Sequence, residues 1–137
     1  MKELLWRLLA RTLARPAVVE WLWKRAARRP YSHIEKNGRI YMRRYWLFNP
    51  YRFGDAARGP RGWLASKLPS ARIHIIHLPD QDRHLHSHPW RARTIILDNG
   101  YTEERLEPLA LVDDQVVTRH LAAGDTATLA PADYHRI

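Results

Sequence analysis

From residue 31 onward the sequence consists of short runs in which apolar or aromatic residues alternate with polar ones. Two clear examples are GRIYMRRYWLF at 38–48 and ARIHIIHL at 71–78. A period of two residues is typical of a β-strand with one buried face. Turn-forming residues punctuate the loops between the runs, namely Gly54, Gly59, Pro60, Gly62, Pro69 and Ser70. Short strands joined by short turns predict a mainly β fold, an antiparallel sandwich or barrel.

Three turns are predicted in the C-terminal part of the chain. The dipeptide Asn99-Gly100 lies between two strand-like runs and is typical of a two-residue β-hairpin. Further turns are predicted near Asp113-Asp114 and at Gly124-Asp125, inside the segment ALVDDQVVTRHLAAGDTATLAP.

The first 30 residues follow a different pattern and are predicted to form a separate amphipathic helical segment, before a β domain at 31–137. Leucines recur at spacings of three and four residues, at Leu4, Leu5, Leu8, Leu9 and Leu13. Pro16 is predicted to break this helix, and a second helix is predicted from about Ala17 to Arg28, closed by Pro30. Packing on the domain or on a second copy is one interpretation. A basic anchor lying on an anionic membrane is the other.

Composition limits the classes of function. A chain of 137 residues predicts one domain, and the absence of cysteine leaves only nitrogen and oxygen to hold a metal. The net charge of +9 favours anionic partners, nucleic acid among them, but no nucleic-acid-binding motif accompanies it. No apolar run is long enough to span a membrane and no signal peptide is evident, so a cytoplasmic location is expected.

Three histidines occupy alternate positions in the segment DQDRHLHSHPW, at His84, His86 and His88. On a β-strand alternate side chains share a face, so two of these imidazoles can bind one cation. Imidazole binds iron, zinc, manganese and nickel alike, so the pattern predicts a divalent transition metal without selecting one. The alternative is an exposed polar strand face. The nearby Asp80 and Asp82 are predicted either to orient an imidazole or to cap the loop.

Two segments of the chain resemble the two sequence motifs of the cupin superfamily. His86, His88 and Gly100 match the first motif, and Gly124, Pro131 and His135 match the second. The runs His-Ser-His-Pro-Trp and Gly-Tyr-Thr-Glu are similar to those of small cupin-like proteins of bacteria and phages. The resemblance covers residues 38 to 137. It implies a jelly-roll β-barrel with a metal on His86, His88 and His135.

The sequence departs from the first cupin motif at the usual glutamate, where Arg93 stands and cannot bind a cation. The resemblance makes Glu103 the substitute, because it occupies the glutamate position of the Gly-Tyr-x-Glu run, with Glu104 on the opposite strand face as a weaker candidate. The remaining candidates for a substrate pocket are His84, His74, Arg93 and Tyr101.

A cupin barrel continues beyond the second-motif histidine, whereas this sequence ends at Ile137. Either the sequence is a truncated form, or the missing strands are supplied by the N-terminal part or by another subunit. We therefore expect an incomplete barrel and a homodimer or larger assembly. The resemblance implies a metal-dependent enzyme acting on a small anionic molecule, with oxygenase chemistry favoured over isomerisation or hydrolysis. The alternatives are a non-catalytic metal- or ligand-binding cupin and, on charge alone, a nucleic-acid-binding protein.

Overall fold

The structure is a computed structural model that describes residues 1–50, 59–79, 84–109, 112–131 and 133–137. The described chain is mainly β, as predicted, and its strand pairs are antiparallel. In chain order the elements are α1 (Lys2–Leu13), α2 (Pro16–Ala26), β1 (Pro30–Lys36), β2 (Arg39–Phe48), α3 (Gly59–Ser66), β3 (Ala71–Ile76), β4 (Ala92–Ile95), β5 (Gly100–Leu109), β6 (Val112–Ala122), β7 (Thr126–Leu129) and β8 (His135–Arg136). None of the described helices is long and apolar enough to cross a membrane.

The chain divides into two compact units. The first combines Met1–Val19 with Asp80–Ile137, and the second is Glu20–Pro79. This division does not follow the predicted boundary between residues 30 and 31, which stays a prediction about how the chain is organised.

The two N-terminal helices form close to where the leucine pattern predicts them. Pro16 separates them, but it does so as the first residue of α2. Proline is well tolerated there because the first backbone N–H of a helix has no partner within the helix. The second helix ends at Ala26, two residues before the predicted end.

The second unit contains a three-stranded sheet in the order β1-β2-β3. The strands β1 and β2 form a hairpin whose turn residues, Asn37 and Gly38, have φ of 50° and 72°. Positive φ at both positions is what a type I′ turn requires. In the same unit Trp23 packs edge-on against Tyr45, with ring centroids 4.8 Å apart. This contact fixes α2 on the sheet.

The helix α3 replaces part of a predicted loop. Its first turn contains Pro60, which a helix accepts at this end. Asn49 holds the other end, since its amide donates to the backbone oxygens of Ala65, Leu68 and Pro69 at 2.8, 3.2 and 3.2 Å. The residues predicted to lie in a loop therefore include the start of α3, at Gly59 and Pro60, and Gly62 within the helix.

The first unit contains a two-stranded sheet, β4-β7, and a three-stranded sheet in the order β6-β5-β8. These sheets do not close into a barrel within the described residues. The predicted jelly roll is therefore confirmed only as far as its antiparallel β character.

The hairpin predicted at Asn99-Gly100 is wrong, because β4 pairs with β7 while β5 pairs with β6 and β8. Asn99 has a φ of 54°, but Gly100 has no positive φ and enters β5 directly. A side chain at Gly100 would collide with the backbone oxygen of Leu121 on β6. Gly100 is thus required for close strand approach, and the chain changes sheets at this point.

The other two predicted turns have different outcomes. The turn at Gly124-Asp125 is present between β6 and β7, where Gly124 has a φ of 90° and the Asp125 carboxylate accepts from the Ala122 N–H at 2.8 Å. The turn predicted near Asp113-Asp114 does not fall on these two residues, since both lie in β6, which pairs with β5 from Val112 onward. The link between β5 and β6 falls on residues 110–111, which are outside the described residues.

Candidate metal site

Three imidazole groups converge in the first unit. One ring nitrogen from each of His86, His88 and His135 lies within 4.8 Å of the others. The ring centroids of His86 and His88 are 5.0 Å apart, and each lies 5.3 Å from that of His135. His135 is buried and the other two are half-buried. We call these three residues the histidine cluster.

Backbone pairing explains how residues so distant in sequence meet. The N–H of His86 donates to the oxygen of His135, and the N–H of His135 donates to the oxygen of His86, both at 3.0 Å. His135 is also the first residue of β8, which pairs with β5 through Arg105. The His-x-His segment thus lies beside β8, as a further position of the sheet β6-β5-β8.

The predicted strand through the three alternate histidines is reduced to this single bridge. His86 takes part in an isolated β-bridge, while the residues on either side of it are not in regular strands. The extended backbone still directs His86 and His88 to the same side, as the period of two predicts. His84 is exposed and lies outside the histidine cluster.

Glu103 is placed beside the histidine cluster by the pairing of β5 with β8. Its side chain is 2% exposed, and its Oε1 lies 2.9 Å from Nδ1 of His135. A carboxylate only accepts hydrogen bonds, so we assign the proton of the neutral imidazole to Nδ1. The other ring nitrogen, Nε2, then carries a free lone pair, which is the form that binds a metal.

Two ring nitrogens of the cluster are buried without a hydrogen-bond partner. They are Nδ1 of His86 and Nε2 of His135, judged over the part of the chain that the structure describes. Buried polar atoms nearly always have a partner, since leaving one unsatisfied costs about 1–3 kcal/mol. A cation is a partner that suits such nitrogens, so the residues present fit a metal ion.

Burial and charge favour the neutral imidazole of His88. Burial, followed by the neighbouring His135 and His86, lowers the pKa of His88 below its ordinary value. A neutral ring keeps the lone pair that a metal needs.

Trp90 stacks on His88 with ring centroids 5.0 Å apart, and Trp90 is 50% exposed. Trp90 therefore supports the ring of His88 from the solvent side and is not a core residue.

The carboxylate of Glu103 is ionised because its partners outweigh its burial. Burial acts most strongly and raises the pKa, but hydrogen bonds from His135 and Arg105 and the charge of Arg105 together lower it. Arg105 donates to Glu103 Oε2 from Nε at 2.7 Å and to Oε1 from Nη2 at 3.2 Å. Both carboxylate oxygens thus already accept hydrogen bonds.

Arg105 belongs to the site but was not among the predicted site residues. Its side chain is 10% exposed and it also donates to the backbone oxygen of Thr128 at 2.8 Å, while Asp133 lies 3.6 Å from its Nη1. The available signal was its position two residues after Glu103, which places both side chains on one face of β5.

Among the predicted pocket residues, Tyr101 lies on the same face of β5 as Glu103. Burial, then the negative charge of Glu103, raises the pKa of Tyr101 to about 12. Its side chain also hydrogen-bonds to Thr94. Tyr101 is therefore a neutral, partly buried neighbour of the carboxylate.

Arg93 is engaged elsewhere, which argues against the predicted substrate role. Its guanidinium donates to both carboxylate oxygens of Glu3, at 2.6 and 3.0 Å, and lies 4.7 Å from the ring centroid of Trp6. His74 lies on β3, in the second unit, opposite Arg44 of β2. The structure thus does not bring Arg93, His74 or His84 into the histidine cluster, and Asp80 and Asp82 lie outside the described residues.

No protein-family model, curated protein or solved structure matches the chain.

Proposed function

We propose that the chain is a metal-dependent enzyme of the cupin superfamily, with one divalent transition metal held by His86, His88 and His135. The observation that supports this most strongly is the pair of buried, unpartnered ring nitrogens on His86 and His135. Three imidazole nitrogens suit iron, zinc, manganese or nickel. When bound, a metal with three protein ligands keeps coordination positions open and supplies Lewis-acid or, if it is redox-active, oxidation chemistry.

Glu103 has a positioning role in this proposal in place of the ligand role that the sequence suggested. Its hydrogen bond to Nδ1 selects the tautomer of His135 whose Nε2 is free, and Arg105 holds the carboxylate in place. Carboxylate groups often orient metal-binding histidines in this way.

Oxygenase chemistry on a small anionic molecule is the reaction class we favour, on the cupin resemblance, with isomerisation or hydrolysis next. One observation favours a non-catalytic metal- or ligand-binding domain as the second candidate. Both oxygens of Glu103 accept hydrogen bonds, so this carboxylate is not free to act as a general base. A small-molecule ligand, homo-oligomer formation and a cytoplasmic location also remain part of the proposal.

The proposal is tested by metal analysis of the purified full chain after chelation and reconstitution with each of the four metals separately. We expect one metal per chain, and loss of that metal in His86→Ala and in His135→Ala. His84→Ala is the matched control, because its imidazole is exposed and lies two residues from His86. Unchanged occupancy in both cluster variants would refute the metal site.

Turnover separates the two candidates once metal binding is established. The reconstituted protein is incubated with small carboxylates and phosphates, while dioxygen consumption and product formation are followed. Turnover that disappears in His135→Ala supports the enzyme. Metal binding without turnover across the series supports the binding domain.

A further inference from the structure

The helix α1 exposes its leucines. Leu4, Leu5, Leu8 and Leu9 are 61%, 61%, 51% and 42% exposed, and Ala10 is the buried residue of this helix. Their spacing places the four leucines on one side of the helix, which we call the leucine face. A surface helix ordinarily turns such a face toward the core. The unit that contains α1 therefore does not bury this stripe, and packing on a second copy stays an alternative.

The opposite side of α1 is attached to its own unit. Glu3 forms a two-pronged ion pair with Arg93 of β4, and Trp6 lies against the same guanidinium. At the other end of the helix, Arg11 borders the leucine face and lies close to Gly124, so that a Cβ built on this glycine would be 3.4 Å from Cγ of Arg11. These contacts hold α1 with the leucine face outward.

The charge of α1 indicates what covers this face. Lys2 of α1 and Arg15, which follows the helix, are exposed, as are Arg7 and Arg11, which share a cleft with Asp125. Glu3, the acidic residue of the helix, already pairs with Arg93. A second copy packed on the leucine face would bring like charges together, with no free carboxylate on α1 to balance them. Anionic headgroups beside an apolar layer complement both the cations and the leucines.

We propose that α1 docks the protein on an anionic membrane surface, with the leucine face in the interfacial layer and the flanking cations against the lipid headgroups. This surface is separate from the histidine cluster, so the proposal does not depend on a bound metal. Because α1 is joined to β4 and lies beside β7, docking would hold the first unit at the membrane surface.

The test is co-sedimentation of the full chain with vesicles made of phosphatidylcholine and phosphatidylglycerol in equal parts, and with vesicles of phosphatidylcholine alone. We expect binding to the mixed vesicles that weakens with added salt, and little binding to the neutral ones. Replacing both Leu5 and Leu8 by aspartate should weaken binding by at least about tenfold, since two buried leucines would be lost and two like charges introduced.

Leu64→Asp is the matched control, because Leu64 of α3 is 60% exposed, as Leu5 is at 61%. It should bind vesicles as the unaltered chain does. Three results of the binding and mass measurements would overturn the proposal. The first is no binding of the unaltered chain, and the second is equal binding by the Leu5→Asp, Leu8→Asp variant. The third is a concentration-dependent mass that this variant abolishes without any vesicle binding, which would identify a second copy as the occupant.

The melting temperature of the double variant shows whether the leucine face is buried within the chain itself. If the double variant melts well below Leu64→Asp, the leucine face is buried within the protein in solution, and the membrane proposal is wrong.

Discussion

Glu103→Gln tests the arrangement around the histidine cluster most directly, because the substitution keeps the size of the side chain and removes its charge. In the structure the carboxylate accepts from Nδ1 of His135 and from Nε and Nη2 of Arg105. The glutamine amide has one acceptor oxygen and one NH2 donor group, whereas the carboxylate has two acceptor oxygens. Whichever way the glutamine is oriented, its NH2 group meets an N–H donor of His135 or Arg105.

The expected cost follows from what remains around Arg105. Removing one partner of a buried ion pair costs about 3–5 kcal/mol when the other charge is left uncompensated. Arg105 keeps its bond to Thr128 and its approach to Asp133 at 3.6 Å. We therefore expect the lower end of that range, a decrease of about 3 kcal/mol in the free energy of unfolding.

Urea denaturation of the metal-free protein at neutral pH measures this quantity. The matched control is Glu104→Gln, one residue along β5, where Glu104 pairs with Arg136 at 2.5 Å and the two side chains are 33% and 37% exposed. An ion pair exposed to this degree is worth about 0–1 kcal/mol. If Glu103→Gln costs no more than Glu104→Gln, the buried pair does not support the fold and the argument for it is wrong.

The same variant separates a positioning role from a ligand role for Glu103. As a positioning residue, its loss should weaken metal affinity about 10- to 100-fold. The visible absorption of the cobalt-substituted protein should keep its shape, since the three nitrogens remain. A changed spectrum would show that Glu103 binds the metal itself.

Two further predictions concern β5. Ionisation of Tyr101 should favour unfolding, because its pKa is raised to about 12 in the folded chain, above the ordinary tyrosine value of 10.0. Stability should thus fall as pH rises between these values, and an ultraviolet absorbance titration of Tyr101→Phe should lack the ionisation near pH 12. If Tyr101→Phe leaves the alkaline titration unchanged, the claim that burial raises the pKa of Tyr101 is wrong. Gly100→Ala should lower the melting temperature more than Gly38→Ala, since the first collides with Leu121 whereas the second meets no atom within 4 Å and incurs about 1–2 kcal/mol of backbone strain. Equal effects would contradict the close approach of β5 and β6.

The two Asn-Gly dipeptides show what local sequence could and could not predict. No turn was predicted at Asn37-Gly38, yet this dipeptide forms a type I′ hairpin. A hairpin was predicted at Asn99-Gly100, and this dipeptide does not form one. The dipeptide allows positive φ at both residues without imposing it. At Gly100 the approach of Leu121 decided the conformation, and that is a contact between strands which a local pattern does not contain.

The residues of the candidate site were predictable to different degrees. The alternation and the cupin resemblance identified the three histidines that the structure brings together. The resemblance selected Glu103 as a metal ligand. The structure places this residue beside His135, and its hydrogen-bond partners are His135 and Arg105. Arg105 was missed because a charged residue on an alternating strand is usually solvated, and only the pairing of β5 with β8 buries this one.

The helix α1 shows a further limit of sequence patterns. Its leucine spacing correctly predicted a helix with one apolar face. The direction of that face depends on which contacts attach the helix, and the ion pair between Glu3 and Arg93 joins residues too distant in sequence for a helical period to reveal.

The two backbone hydrogen bonds between His86 and His135 close a loop that contains β4, β5, β6 and β7. A metal held by the same two residues would bind the folded chain, in which the ends of this loop meet, and would be released when the chain unfolds. The stabilisation then grows with the concentration of free metal and reaches about 4 kcal/mol at about 1,000 times the dissociation constant, as large as that from a disulfide bond. Because the chain has no cysteine, removal of the metal by a chelator would destabilise this fold as the reduction of disulfide bonds destabilises a secreted protein.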